Sequence, residues 1–289
     1  MIIKEQEMLK EHTTFRIGGP ADFYLIPESA EQVQEAIAFA GKKGLPYYVI
    51  GKGSNILFGD KGFRGVVIEI GKGMAAIENK GDGIVVAGAG ISMSAMAVKL
   101  AEWNLTGFEF AGGIPGALGG GIAMNAGAYG GEIKDCIQSA VVLTREGKII
   151  TKRLEELELG YRSSSILRDE QIVLQGTFQF AAGEKEKIQN EMRELNARRR
   201  DKQPLEFPSA GSTFKRPEGY FAGKLIQDAG LAGYRVGDAM VSDKHCGFVV
   251  NCGNATAAEV KQLIEQVQEK VQTEFDVLLE PEVRLVGEF

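Results

Sequence analysis

Histidine and cysteine are scarce in this sequence, and their scarcity limits the chemistry that it can carry. The chain has two histidines, His12 and His245, and three cysteines, Cys136, Cys246 and Cys252, none of which forms a CxxC pair. Scattered cysteines in an odd number argue against a disulfide framework and against a zinc site. We therefore expect free thiols in a reducing compartment and no bound metal.

Long apolar segments and a positive net charge are also missing. No apolar run approaches the roughly 18 residues that a membrane-spanning helix requires, and the N-terminal segment MIIKEQEMLKEHT has no apolar block before a cleavage site. The net charge of −6 argues against general nucleic-acid binding, although a local basic cluster can still bind an anionic small molecule. These absences predict a cytoplasmic protein, which we take to be a monomer, without a membrane or nucleic-acid partner.

Glycine is the residue type present in excess. The chain has 38 glycines among 289 residues, and they cluster at 51–53, 112–121 and 127–131. Concentrated glycine inside a globular chain indicates that the backbone approaches another group closely. The length predicts two or three domains, because a single hydrophobic core stops growing near roughly 250–300 residues.

The hydrophobic pattern alternates between strand and helix periods. A strand at 21–27, a helix at 29–44 that begins with a capping box of Ser29 and Gln32, and a strand at 45–51 form a predicted βαβ unit. The same patterns predict strands at 65–71, 84–90, 139–144, 148–152, 172–180, 247–253 and 279–287, and helices at 92–103, 184–203, 220–229 and 256–274.

The loop GKGSNIL (51–57) directly follows a predicted strand. Gly51 and Gly53 permit left-handed backbone conformations, so successive N–H groups can form a nest for an anion, and Ser54 and Asn55 add side-chain donors. A strand rather than a helix follows, so the loop is neither a P-loop nor a dinucleotide fingerprint. An ordinary glycine turn is an equally good interpretation of this loop taken alone.

A second glycine-rich stretch, AGGIPGALGGGIAMNAGAYGGE (111–132), contains nine glycines and no charged residue before Glu132. A structural turn needs one or two glycines. Two separated loops that can cradle phosphates indicate a ligand with a diphosphate and a flat ring, such as FAD. The alternative is a tightly packed region in which glycines let backbone segments approach each other.

Two further candidates lie in YRSS and LEPEVRLVG. Arg162 offers a planar fork that suits a carboxylate, although a surface arginine beside a serine turn is the alternative. In the predicted C-terminal strand, Val283 and Leu285 are expected on one face and Glu282 on the other. Glu282 then either points into a cleft or belongs to an exposed Glu–Arg stripe on an edge strand.

Basic and nucleophilic residues lie near the end of the predicted helix at 184–203, which is mostly polar, and they need separate interpretations. The run RRRDK (198–202) ends the helix, where cations are ordinary, so its arginines are interpreted as a solvated run. Lys202 is a better ligand candidate, because it precedes the stretch SAGSTFKRP that holds Ser212. That stretch contains no histidine, so a serine–histidine nucleophile is not predicted there. His245 is interpreted as a packed histidine.

Taken together, these stretches resemble the UDP-N-acetylenolpyruvoylglucosamine reductase family, which are flavoenzymes of peptidoglycan precursor synthesis. The matching stretches follow the family's order over nearly the whole chain, and the chain is similar to the shorter type, which lacks an extra insertion in the substrate domain. The stretches are TTFRIGGPAD (13–22), GKGSNIL (51–57), GGIPGALGG (112–120), NAGAYGGEI (125–133), YRSS (161–164), AGSTFKRP (210–217), AGKLIQDAGL (222–231), HCGFVVN (245–251) and EPEVRLVG (280–287).

The resemblance implies an α+β fold. It implies an FAD-binding fold of the vanillyl-alcohol-oxidase (PCMH) type in two subdomains, 1–75 and 76–203, followed by an α/β substrate-binding domain at 204–289. The C-terminal strand at 279–289 is expected to pack back near the active site. The implied cofactor is non-covalent FAD, and NADPH is the co-substrate that reduces it.

The resemblance also assigns roles to residues. Arg162 matches the family's catalytic arginine, Ser212 its proton donor and Glu282 its catalytic glutamate, while Lys202 and Arg216 match contacts to the substrate's diphosphate. The implied FAD-binding residues are Gly51, Lys52, Gly53, Ser54, Asn55, Gly113, Ile114, Pro115, Gly116, Ala117, Gly120, Asn125 and Gly127.

Two positions depart from the family pattern. Lys52 stands where glycine is common, and Arg216 stands where asparagine is common. A lysine at position 52 is expected to add a charge beside the FAD diphosphate. An arginine at position 216 still reaches a phosphate, but the departure weakens its assignment.

The implied reaction explains a serine without a histidine. Hydride reaches C3 of the enolpyruvyl group of UDP-N-acetylglucosamine enolpyruvate, and negative charge builds at C2 and in the attached carboxylate. Arg162, with Glu282 orienting it or sharing a proton, stabilises that charge. Because C2 becomes strongly basic, Ser212 can protonate it as a general acid, which gives UDP-N-acetylmuramate.

Two rival functions make different demands on the sequence. An FAD oxidase of the same fold would use oxygen and another substrate. Such enzymes often tether flavin through histidine or cysteine, and neither residue type occurs in 51–57 or 111–132. A non-enzymatic module that binds FAD or a nucleotide sugar would leave Arg162, Ser212 and Glu282 without a shared purpose.

Overall fold

The computed structural model describes residues 1–289 and has an α+β element order, as predicted. Its strands are short apart from those of two sheets. The strands are β1 Ile2–Met8, β2 Pro20–Ile26, β3 Tyr47–Ile50, β4 Ile56–Phe58, β5 Phe63–Glu69, β6 Ile77–Gly81, β7 Ile84–Gly88, β8 Leu105–Thr106, β9 Gly127–Ala128, β10 Gly131–Glu132, β11 Ile137–Leu143, β12 Ile149–Arg153, β13 Ile172–Gln179, β14 Ala181–Ala182, β15 Arg235–Val236, β16 Ala239–Val241, β17 Val249–Asn251 and β18 Arg284–Val286.

The helices begin and end at local capping signals. Ser29 accepts a hydrogen bond from the Gln32 N–H at the start of the first helix, and Gly44 ends that helix with φ +66°. The helices are α1 Ala30–Lys43, α2 Met93–Glu102, α3 Leu118–Ala123, α4 Leu154–Leu157, α5 Ser165–Arg168, α6 Lys185–Lys202, α7 Ala222–Asp228 and α8 Ala257–Phe275.

Long-range pairing sets the sheet topology. The largest sheet has the order β12-β11-β13-β7-β6 and is antiparallel throughout. A four-stranded sheet has the order β1-β2-β5-β3, so β5 lies between the two strands of the predicted βαβ unit. Strands β15, β16 and β17 form an antiparallel sheet, and β18 pairs in parallel with β4, with Arg284 opposite Ile56.

The chain divides into two compact units. The first contains Met1–Ile3, Leu25–Lys52 and Val67–Arg199. The second contains Lys4–Tyr24, Gly53–Val66 and Arg200–Phe289. The division into subdomains at 1–75, 76–203 and 204–289 stays a prediction.

The first unit contains an aromatic cluster beside the large sheet. Phe108 lies with its ring centroid 5.3 Å from that of Phe110 and 5.9 Å from that of Phe180, and the Phe178 and Phe180 rings stack at 6.0 Å. All four rings are buried. Edge-to-face pairs of this kind add roughly 0.5–1.5 kcal/mol each beyond the burial of their area.

Helix α8 provides the apolar stripe of the second unit. Thr256 and Glu259 form a capping box at its start. The buried residues of the stripe recur at helical spacing and join a core that also contains Leu57, Phe214 and Val283. The stripe consists of Val260, Leu263, Ile264, Val267 and Val271.

Four predicted helices are confirmed to within one residue at each end, but the predicted C-terminal strand at 279–287 is wrong in length. Only β18 is a strand there, because Pro281 has no N–H to donate and instead faces Phe214 in an isolated bridge. The expected common face of Val283 and Leu285 is also wrong, since Val283 is 3% exposed and Leu285 is 36% exposed.

Two further findings concern membrane-spanning helices and metal-binding groups. No helix combines the length and the apolar character that crossing a membrane requires. No group of three or more histidine, cysteine or acidic side chains is arranged to hold a metal ion.

Candidate active site

The loop at 51–57 is a tight turn between β3 and β4. Gly53 has φ +57°, and a Cβ atom there would lie 2.2 Å from the His12 carbonyl oxygen. Glycine is therefore required at position 53 for two reasons, which are the left-handed backbone and the close approach of another segment. Lys52 is exposed, while Ser54 and Asn55 are half-buried.

The first glycine of this loop contacts the second glycine-rich stretch. A Cβ atom at Gly51 would lie 2.8 Å from the Cβ of Ala117. Gly51 and Ala117, which are far apart in sequence, thus meet within the first unit. The N–H groups of Leu118 and Gly119 are held by the carbonyls of Ile91 and Ala89 at 2.8 Å, which fixes the backbone at the start of α3.

Packing explains part of the glycine content at 111–132. A Cβ at Gly119 would lie 2.9 Å from Ala89, one at Gly121 would lie 2.9 Å from the Met93 sulfur, and one at Gly131 would lie 2.6 Å from Phe110. Gly120, in contrast, has open space where its Cβ would be. The stretch therefore combines close packing on one side with an accessible backbone on the other.

Asn125 braces the middle of this stretch. It is fully buried, with φ +44°. Its amide nitrogen donates to Glu132 Oε2 at 2.6 Å and to the Gly160 carbonyl at 3.1 Å. Its amide oxygen accepts from the Lys134 N–H at 2.9 Å. These bonds give Asn125 a structural role, which is to hold the backbone of this stretch in place. A contact between Asn125 and FAD stays a prediction.

Arg162 lies in a turn of the same unit. It is half-buried, with a left-handed φ of +52°, and its Nη2 donates to the Gly127 carbonyl at 3.4 Å. The turn is closed by a bridge between Gly160 and Ser163. Ser164 then donates to the Ala123 carbonyl at 2.6 Å. The turn thus holds the guanidinium beside the predicted FAD-binding stretch.

Ser212 lies in the second unit, next to a residue that connects three segments. Thr213 is 2% exposed. Its N–H donates to the Gly247 carbonyl at 2.8 Å, and its hydroxyl accepts from the Val249 N–H at 2.9 Å. Its carbonyl accepts from the Glu282 N–H at 2.8 Å. The backbone next to Ser212 and that of Glu282 are therefore hydrogen-bonded neighbours.

Asn55 joins the same framework. Its amide nitrogen donates to the Glu282 carbonyl at 3.1 Å, and its own carbonyl accepts from the Arg284 N–H at 3.0 Å. The second unit therefore brings a predicted FAD-binding residue, the segment of the predicted proton donor and the predicted catalytic glutamate into one network. Arg162 belongs to the other unit.

The two predicted diphosphate contacts are surface residues. Lys202 is exposed at the end of α6. Arg216 is exposed, lies over the Phe221 ring at 4.0 Å and donates from Nε to the Tyr220 carbonyl at 3.3 Å. An arginine that stacks on an aromatic ring still presents the remainder of its guanidinium to an anion.

Arg199 is a candidate that the sequence interpretation missed. Arg198 and Arg200 are exposed, but Arg199 is half-buried, and burial lowers its pKa below the ordinary range. A Cβ at Gly113 would lie 3.1 Å from Arg199 Cδ and 2.5 Å from Asn196 Oδ1. Helical spacing could have identified Arg199 in the sequence. Asn196 and Arg199 lie on the same face of α6 as Met192, which is buried.

The residues present fit a flavin dinucleotide. The left-handed turn at Gly53 aligns successive backbone N–H groups in the manner of an anion nest, and Ser54 lies beside it. In the first unit, taken by itself, the open space at Gly120 lets a ligand reach the backbone. Such donors suit the diphosphate of FAD.

Comparison with family models gives two matches. A model described as UDP-N-acetylenolpyruvoylglucosamine reductase, C-terminal domain, matches residues 203–286. A model described as an FAD binding domain matches residues 21–152. The FAD-binding fold predicted from the resemblance is thereby confirmed.

Curated relatives and a solved structure cover nearly the whole chain. The UDP-N-acetylenolpyruvoylglucosamine reductase of Lachnoclostridium phytofermentans is 56% identical over 98% of this chain and 92% of its own length. That of Agathobacter rectalis is 54% identical over 99% of this chain and 94% of its own. The crystal structure of UDP-N-acetylenolpyruvylglucosamine reductase from Thermus caldophilus matches with a TM-score of 0.85 at 35% identity, over 99% of this chain and all of that one.

Proposed function

This chain belongs to the UDP-N-acetylenolpyruvoylglucosamine reductase family, and from that premise we propose that Arg162, Ser212 and Glu282 carry its reaction. The protein is an FAD-containing oxidoreductase that uses NADPH to reduce UDP-N-acetylglucosamine enolpyruvate to UDP-N-acetylmuramate in peptidoglycan synthesis. The observation that supports the assignment of residues most directly is the network of Asn55, Thr213 and Glu282, which fixes the backbone of the residue that follows the proposed proton donor and the backbone of Glu282.

When bound and reduced by NADPH, FAD would supply the hydride for C3 of the enolpyruvyl group. The electron pair of the double bond then moves toward C2 and the carboxylate. Arg162 stabilises this negative charge with a guanidinium that its left-handed turn and the Gly127 carbonyl hold in place. The planar fork matches the geometry of a carboxylate.

Ser212 completes the reduction. Its hydroxyl proton passes to C2 and forms the second C–H bond, which leaves a serine alkoxide to be reprotonated from solvent. Glu282 lies one hydrogen bond from the adjacent residue, Thr213, and we assign it to orienting the reacting groups or sharing the proton. A carbon base of this strength needs a well-placed hydroxyl and no histidine.

The remaining predicted residues bind the two nucleotide groups. The turn at Gly53 would offer backbone donors to the diphosphate of FAD, and Lys52 would add a positive charge to that turn. Lys202 and Arg216 bind the diphosphate of the substrate. The stacking of Arg216 on Phe221 supports this role, because it orients the guanidinium before the ligand arrives.

We also infer that the enzyme works as a monomer in the cytoplasm. The state of its cysteines supports a reducing compartment, because all three are free thiols. Burial raises the pKa of Cys136 to about 12 and that of Cys246 above its ordinary range. These two thiols are therefore protonated and unreactive at neutral pH.

An anaerobic visible spectrum tests the proposed function. The purified protein should show an oxidised flavin spectrum that bleaches with NADPH and returns when UDP-N-acetylglucosamine enolpyruvate is added. A flavin that bleaches but ignores the enolpyruvyl sugar and returns only with oxygen would favour an oxidase of the same fold. A protein that binds FAD but is not bleached by NADPH would favour a binding module.

A further inference from the structure

The ring of His245 lies between two glycines. A Cβ at Gly223, in the first turn of α7, would lie 3.3 Å from His245 Cε1, and one at Gly247 would lie 2.9 Å from the same atom. Neither glycine has a left-handed backbone, so neither is required by its backbone conformation. Gly247 instead provides space for the imidazole, and Gly223 provides space for both the imidazole and the Gly247 backbone, whose nitrogen would lie 3.1 Å from a Cβ there. On its third side the ring contacts Phe248, with centroids 5.0 Å apart.

The hydrogen bonds around the ring determine its tautomer. The Gly247 N–H donates to His245 Nδ1 at 3.1 Å. An atom that accepts this bond carries no proton, so the neutral ring has its proton on Nε2. The backbone of the same turn is held by Ser242, whose hydroxyl accepts from the N–H groups of Lys244 and His245 at 3.2 and 3.3 Å. The turn is thus fixed at both ends.

This turn supports the proposed catalytic segment. The Gly247 carbonyl accepts the Thr213 N–H at 2.8 Å, and the Thr213 carbonyl accepts the Glu282 N–H at 2.8 Å. A continuous path of hydrogen bonds and peptide groups therefore runs from the imidazole to the residue beside Ser212 and on to Glu282. An error of about 1 Å in the position of a reacting group can lower a rate about 100-fold, so the path matters for the proton donor.

We propose that neutral His245 is a positioning residue, which fixes the Gly247 peptide and through it holds Ser212 and Glu282 in place for protonation at C2. The inference rests on the proposed function, because it takes Ser212 as the proton donor. His245 does not touch the reacting atoms. Its role is confined to the half-reaction in which the substrate is reduced, since FAD reduction by NADPH needs no proton from Ser212.

The role depends on pH. Burial lowers the pKa of His245 below its ordinary value near 6.5. The bond from Gly247 is therefore present at neutral pH, and it is lost as pH falls through the lowered pKa, because a proton on Nδ1 would face the Gly247 N–H. The titratable groups on the surrounding elements are Lys224 and Asp228, which pair with each other, Lys244, which donates to the Arg200 carbonyl, and Asp243 and Cys246.

Two substitutions separate positioning from mere packing. In His245→Asn, the amide oxygen stands in for Nδ1 as an acceptor and cannot titrate in this range. In His245→Leu, the side chain fills similar space without an acceptor. Rapid mixing of the holoenzyme should show FAD reduction by NADPH within about twofold of wild type in both variants. Substrate reduction should slow about 10-fold or more in His245→Leu and stay within about threefold in His245→Asn.

The pH profile gives the second readout. Substrate reduction by the wild type should fall at acid pH, and His245→Asn should lack that fall. Equal slowing of both half-reactions in His245→Leu, or an unchanged acid limb in His245→Asn, would overturn the proposal. If His245→Leu does not fold, the acid limb of His245→Asn decides alone.

Amide hydrogen exchange distinguishes this inference from the proposed function. Peptides that contain Thr213, Gly247 and Glu282 should exchange faster in His245→Leu than in wild type and His245→Asn, whatever the substrate is. If the wild type ignored the enolpyruvyl sugar but showed this exchange pattern, the proposed function would fail and the supporting role of His245 would stand. Unchanged exchange would overturn that role.

Discussion

At the scale of single residues, Ser212 shows how a weak acid suits a strong carbon base. A serine hydroxyl is a poor proton donor toward oxygen or nitrogen bases, but C2 becomes strongly basic once the hydride has reached C3. The requirement is then placement, which Thr213 supplies through its bonds to Gly247 and Glu282.

Replacing Ser212 with alanine should therefore slow one half-reaction and leave the other nearly unchanged. We expect FAD reduction by NADPH to remain near the wild-type rate in Ser212→Ala, and substrate reduction to slow about 10²- to 10⁴-fold. Rapid-mixing absorbance of the flavin measures both. Ser94→Ala, at an exposed position in α2, is the control and should change neither. Normal flavin reoxidation by substrate in Ser212→Ala would exclude the serine as the proton donor.

A glycine pair tests the role of close approach in the loop at 51–57. Gly44 and Gly53 both have left-handed backbones, at φ +66° and +57°, but only Gly53 lacks room for a Cβ. Gly44→Ala should lower the free energy of unfolding by about 1–2 kcal/mol through strain alone. Gly53→Ala should cost several times as much and weaken FAD binding. Urea unfolding of the apoproteins, with fluorescence titration of FAD, measures both effects, and equal costs for the two variants would contradict this account.

Sequence patterns can identify residue types for a site more readily than the contacts that support it. Arg162, Ser212 and Glu282 lie in stretches that resemble a family, and their roles remain predictions. Arg199 and His245 look ordinary in sequence, since Arg199 belongs to a basic run and His245 precedes a buried strand. Their interest comes from Gly113 and Gly247, and no local pattern reports contacts that depend on the folded chain.

At the scale of elements, the start of α8 is stabilised by a residue far away in sequence. Thr256 and Glu259 form a capping box there. In addition, Asp60 accepts the Ala257 N–H at 2.7 Å and the Ala258 N–H at 2.9 Å. A carboxylate at this position satisfies two free donors and complements the positive end of the helix dipole.

Removing that carboxylate should destabilise the second unit. We expect Asp60→Ala to lower the free energy of unfolding by about 1–2 kcal/mol, and Asp60→Asn, which keeps an acceptor, to cost less. Asp201→Ala, at an exposed position in α6, is the control. Thermal unfolding measures all three, and an Asp60→Ala variant as stable as the control would show that the capping box suffices.

Helices were predictable because their signals are local. Four were placed to within one residue by caps and periodicity. The segment at 279–287 alternates like a strand, but its N-terminal half bonds to Thr213 and the Phe214 region, so only β18 pairs with β4. The extent of a strand depends on its partners, which the sequence does not identify.

At the scale of the whole molecule, the α+β class was expected from the family resemblance, but the strand order was not predicted. Strand β5 lies between β2 and β3, and β18 pairs with β4 from the other end of the chain. The two compact units are likewise assembled from separated segments. Which strands pair depends on which surfaces are buried together in the folded chain. A single sequence, without related sequences to compare it with, does not determine those pairings.

Binding of FAD should stabilise the entire protein, because a ligand that binds only the native state raises the free energy of unfolding. The gain is about 2.7 kcal/mol at a free concentration of 100 times Kd. If backbone donors near Gly53 and Gly120 bind the diphosphate, FAD should raise the melting temperature of the apoprotein more than FMN, and FMN more than riboflavin. Calorimetry of the apoprotein with each flavin measures this order. Equal shifts would mean that the flat ring supplies the binding energy and that the glycine loops serve packing alone.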